Sequence, residues 1–116
     1  MFNDFKKVIY IDRSPPVSAF DSFHPLASGP GDNEVWIRSV DGTADNIHVL
    51  PNLPQTTSEA DILAAVTQGK GKLDRIDRAL FKGVLRGLPK GENSLTIVTF
   101  ERTGRQSIKR QTAVVP

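Results

Sequence analysis

The chain has no cysteine among its 116 residues, which removes disulfides, thiolate metal sites and a cysteine nucleophile at once. That absence names no compartment, because exported domains also do without the residue. Aromatic residues are sparse: one Trp, one Tyr and six Phe leave little from which to build a row of exposed rings for stacking on sugars or bases. No apolar run approaches the roughly 20 residues needed to cross a bilayer. Residues 1–10 carry two phenylalanines and an aspartate where a secretory leader has a basic segment followed by an apolar one. The expected setting is therefore either the cytosol or a place within a longer exported polypeptide.

Charge is present in both signs but unevenly. Residues 1–58 hold four Lys/Arg against seven Asp/Glu, and residues 59–116 hold eleven against six. Such a split fits a polyanion-binding face, and it equally fits solvated faces that keep a small domain dispersed. Within the basic half, Arg102, Arg105, Lys109 and Arg110 gather near the C-terminus. They are the candidate partner face, although strand alternation puts Arg105 and Lys109 on one side and Arg110 on the other. Without interleaved aromatics they make a poor nucleic-acid surface, and cations that blunt an edge strand are the plainer reading.

Other constellations fail on spacing. Gly69-Lys70-Gly71-Lys72 lacks the four-residue gap and the following Ser or Thr of a phosphate loop. Asp41, Thr43 and Asp45 open like a calcium loop, but Asn46 and Asn52 stand where it needs Gly and Glu. A hairpin turn on Asp41-Gly42 is expected there, with a weak surface calcium left open. Asp74 and Asp77 are each followed by Arg, so ion pairing accounts for them without acid-base chemistry. His24 and His48 are far apart, and no serine sits in a nucleophile-elbow motif. The expectation is no catalytic site, no metal and no cofactor.

The elements that are present are mostly strands. Residues 94–101 and 106–115 are two β-rich runs around a turn with Gly104, the pattern of a hairpin. Such a hairpin is marginal alone and needs further strands or a helix against it. Residues 6–12 read as an entry strand ended by Pro15-Pro16, and Val17 to Phe20 resumes it. Phe20 to Asn33 reads as a loop anchored by its phenylalanines. Val35, Ile37 and Ser39 alternate with Trp36, Arg38 and Val40 in one strand, and 47–50 form the next, stopped by Pro51 and Pro54. Ser58 followed by Glu59 and Asp61, with Ile62, Leu63 and Val66 before Gly69, predicts a short helix. Residues 72–88 are ambiguous. Leu73, Ile76, Leu80, Phe81, Val84, Leu85 and Leu88 recur at helical spacing, while Gly83 and Gly87 each weaken a helix by roughly 1 kcal/mol.

The run from Leu80 to Val98, with its Gly87-Leu88 ending, its Pro89 to Asn93 turn and the long strand that follows, resembles the corner of immunoglobulin-like and fibronectin type III-like β-sandwiches. The opening Asp12-Arg13-Ser14-Pro15-Pro16 is similar to the junction that starts such domains in multidomain bacterial proteins. The corner tyrosine of these families is absent, with Leu95 and Phe100 nearest, and a helix at 58–68 departs from their simplest members. The resemblance implies an all-β antiparallel sandwich of about seven strands, in which Leu80 to Arg86 is a strand and the helix is an insertion guarding an edge. The alternative is an α+β domain with two helices on a small antiparallel sheet.

Functionally, the resemblance implies a single non-catalytic accessory domain within a longer exported bacterial protein, extracellular or periplasmic, that spaces or supports a catalytic or adhesive neighbour. A carbohydrate-binding module is the first alternative, with Trp36 and Tyr10 as its scarce rings. A small α+β protein that binds an acidic partner is the second.

Overall fold

The computed structural model describes residues 17–116; the expected entry strand and Pro-Pro junction lie outside them. Seven strands and one helix follow in order: β1 (Ser18–Pro25), β2 (Asn33–Ser39), β3 (Ala44–Pro51), α1 (Glu59–Thr67), β4 (Asp74–Arg75), β5 (Leu80–Leu85), β6 (Gly91–Glu101) and β7 (Gln106–Val115). They form two antiparallel sheets, ordered β1-β2-β5-β4 and β3-β6-β7. The fold is an all-β sandwich with a short helix.

Alternation explains how the sheets face each other. Val35 and Ile37 of β2 and Phe81 and Leu85 of β5 meet Ile47 and Val49 of β3, Leu95 and Ile97 of β6, and Ala113 and Val115 of β7 in one buried cluster. Strand β6 is buried on both faces, because Val98 points the other way, into a second cluster with Leu50, Ile62 and Val66. The helix α1 therefore covers the outer face of the β3-β6-β7 sheet, not a sandwich edge as the sequence suggests. Its start is capped by Ser58, whose Oγ accepts from the Asp61 N–H at 3.1 Å. Its stop is Gly69, at φ +87°.

The edge of β3 is guarded instead by the chain that leaves the helix. Gly71 accepts from the Val49 N–H, and the Leu73 N–H donates to Ile47, both at 2.9 Å. Gly71 sits at φ +70° with no room for a Cβ against the Val49 carbonyl. With the next residue the chain has crossed to the other sheet, where Asp74 and Arg75 pair with Lys82 and Phe81 of β5.

Residues 72–88 are therefore strand, turn and strand, and the second helix of the α+β alternative does not form. The helical spacing of their apolar residues is coincidental. Leu73 lies across Gly83, where any Cβ would collide with its Cδ2, so the glycine that weakens a helix gives a buried leucine its space in the sandwich. Two further expectations are corrected. Residues 20–25 belong to β1, pairing with β2 through a bulge between Phe20 and Ser22, because Phe20 and Phe23 pack on the core and draw their backbone into the sheet. The Asp41-Gly42 turn is not a hairpin, since β2 and β3 lie in different sheets; it arches from one to the other.

Candidate functional site at the loop end of the sandwich

Three segments far apart in sequence meet at the end of the sandwich where β1 begins. They are the β2-β3 arch, the β4-β5 turn and the β6-β7 turn, and they enclose a cleft of about 490 Å³ lined by Gly42, Thr43, Ala44, Arg75, Arg78, Glu101, Arg102 and Thr103. That volume is in the range of small-molecule sites.

Arg75 is fixed in place. Its guanidinium donates to the carbonyls of Ala44 at 2.7 Å, Asp45 at 3.2 Å and Arg78 at 3.4 Å, and it lies 5.1 Å from the Phe81 ring centre. Carbonyl dipoles and a ring face satisfy its N–H groups without cancelling its charge. Arg78 packs its side chain over Gly42, whose added Cβ would lie 3.6 Å from the Arg78 Nε. Neither Arg78 nor Arg102 has an ion-pair or hydrogen-bond partner for its guanidinium among the described residues.

One carboxylate faces these cations. Glu101 accepts from the Thr43 hydroxyl at 2.8 Å and the Thr103 hydroxyl at 3.5 Å, and it forms no ion pair with the arginines within 4.0 Å. Two nearby carboxylates have partners of their own. Asp77 Oδ1 takes the Ala79 and Leu80 N–H groups at 2.9 and 3.0 Å, and Asp45 Oδ2 takes the Asn46 amide at 3.4 Å. The expected pairing of Asp74 and Asp77 with their following arginines does not occur, because both arginines are drawn to the cleft.

Of the four sequence candidates, only Arg102 lines this cleft. Arg105 is in the same turn, where its carbonyl accepts from the Glu101 N–H at 2.8 Å. Lys109 reaches across to the Ser18 carbonyl at 2.7 Å. Arg110 points to the opposite face, toward the carbonyls of Leu53 and Pro54 at 3.4 and 3.5 Å. The four are not one surface. Arg75 and Arg78, which sequence reasoning assigned to ion pairs, are the residues it missed, and only the sheet crossover at 71–75 brings them to Arg102.

The tryptophan sits in a different place. Trp36 is half-buried on the outer face of β2; its Nε1 donates to Glu34 at 2.8 Å, and the Lys82 ammonium lies 5.6 Å from its ring centre. His24 bonds the same Glu34 oxygen at 3.0 Å. The Trp36 N–H bond, with His24 and the Lys82 charge behind it, holds the Glu34 carboxyl below its ordinary value against the opposing effect of burial. With a lysine on its face and a carboxylate on its edge, this ring is committed to the fold. At the other end of the sandwich, Asp32 accepts from the Gly87 N–H at 3.0 Å, from Ser28 at 3.0 Å and from Arg86 at 3.3 Å. The Gly87 bond, then Ser28, lower its carboxyl also. His48 is buried, with Nδ1 donating to the Lys70 carbonyl at 2.9 Å and the ring edge-on to Phe100. No cluster of three or more metal-binding side chains occurs among the described residues. No family model, curated protein or solved structure matches the chain.

Proposed function

We propose that the chain is a non-catalytic, immunoglobulin-like accessory module that spaces or supports a neighbouring catalytic or adhesive domain of a larger exported bacterial protein. The observation that carries this reading is the strand order. β1-β2-β5-β4 facing β3-β6-β7 is the order of strands A-B-E-D facing C-F-G in constant-type immunoglobulin sandwiches. The placement of the ends supports the spacing role. β1 starts at the loop end, beside Ser39, and β7 stops at the far end, where Val115 pairs with Gly91. The start of β1 and the end of β7 are separated by the length of a ten-residue strand, roughly 30 Å, a placement that suits a spacer.

The test is to join the full chain between two fluorescent domains and measure the distribution of distances between them, beside a Gly/Ser linker of equal length. A narrow distribution, longer than that of the linker, supports the spacer. A distribution no narrower than the linker's would refute it.

A further inference from the structure

We infer that the cleft between the β2-β3 arch, the β4-β5 turn and the β6-β7 turn binds an acidic saccharide, its carboxylate on Arg78 and Arg102 and its hydroxyls on Glu101. This goes beyond the spacer reading and does not depend on it.

The argument begins with charge. Three arginines and one glutamate line a recess of about 490 Å³, so the charged side chains of the lining are mainly cationic, while Asp41, Asp45, Asp74 and Asp77 flank it on the same segments. Two of the guanidiniums have no partner among the described residues, and a guanidinium offers a planar fork of donors that matches a carboxylate in two-point contact. Arg75 contributes charge without needing to move, because its N–H groups are already held by backbone carbonyls.

A simple anion site explains the arginines but not Glu101. A carboxylate inside an anion site weakens it, yet here two threonine hydroxyls hold Glu101 in position. Each carboxylate oxygen has more than one acceptor direction, and one threonine contact per oxygen leaves capacity for further donors. The cleft thus presents cationic donors beside an anionic acceptor. Its complement is a ligand that joins an anionic group to several hydroxyls, as a uronic acid does. Hydroxyl donors to a carboxylate form the stronger, charge-assisted kind of hydrogen bond. No ring platform is required, consistent with the commitment of Trp36 to Glu34 and Lys82.

The experiment is an amide and arginine side-chain NMR titration of the full chain at constant ionic strength. The probes are a trimer of galacturonate, a neutral trisaccharide, inorganic phosphate and a hexaglutamate peptide. The trimer is expected to shift Gly42, Thr43, Ala44 and Thr103 saturably, and at least tenfold more tightly than the other three. Arg78→Gln and Arg102→Gln should each weaken it about tenfold, while Arg86→Gln, at the far end, leaves it unchanged. Glu101→Gln separates the two explanations. It should weaken the trimer several-fold and tighten phosphate, since it exchanges a charged hydroxyl acceptor for a neutral amide in one case and removes a repulsion in the other. The proposal is overturned if no saturable shift occurs, if phosphate or hexaglutamate binds as tightly as the trimer, if the neutral sugar moves the same amides, or if Glu101→Gln tightens the trimer. Spectral dispersion of each variant reports whether it folds, and Arg102→Lys, which keeps the charge but loses the fork, should fall between wild type and Arg102→Gln.

Discussion

Single residues around the start of β2 do work that their types alone do not suggest. Asp32 ties the β1-β2 loop to the backbone of Gly87, and Glu34 gathers His24, Trp36 and Lys82 on one outer face. Both carboxyls lie below their ordinary values in the folded chain. A lowered folded value means stabilisation that is complete above the unfolded carboxyl value, near 4, and is lost as pH falls through the folded one. The urea midpoint of the wild type should therefore drop as pH falls from about 5 toward 2, and Asp32→Asn with Glu34→Gln should flatten that decline. An unchanged slope in the double variant would remove these two groups as its source. Gly83 offers a second check. Gly83→Ala should cost about 1–3 kcal/mol through collision with Leu73, and the same change in a Leu73→Ala background should cost much less. Equal costs in both backgrounds would mean that the two residues do not share space.

At the scale of elements, local chemistry and long-range contact diverge. The helix α1 was legible because its signals are local: Ser58 as cap, Glu59 and Asp61 in the first turn, Gly69 at the stop. Strands β2, β6 and β7 were legible because alternation survives in the sequence. What the helix covers was not, since Ile62 and Val66 meet Leu50 and Val98 only after the sheet has formed. Strand β5 was obscured because a glycine placed for Leu73 and an apolar run of mixed spacing imitate a helix. The cleft was illegible for the plainest reason: Thr43 and Glu101 are 58 residues apart. Ser58→Ala should cost about 1 kcal/mol and Ile62→Ala about 2–4 kcal/mol, both read by urea denaturation. If Ile62→Ala proves neutral, the helix is not seated on Val98.

The whole molecule is organised around β6, with β3 on one side, β7 on the other, the main core on one face and α1 on the opposite face. Native-state hydrogen exchange should accordingly find the slowest amides in β6, at Leu95 to Thr99, and faster ones in α1 and β4, which rest on fewer buried contacts. Slowest exchange in β1 or β2 would contradict this order. The opposed placement of the ends has a mechanical consequence as well. Tension applied through the start of β1 and the end of β7 pulls along both strands instead of across them. It loads the seven paired positions of β1 with β2 and the ten of β7 with β6 together, so the sandwich resists as a lap joint and does not peel open pair by pair.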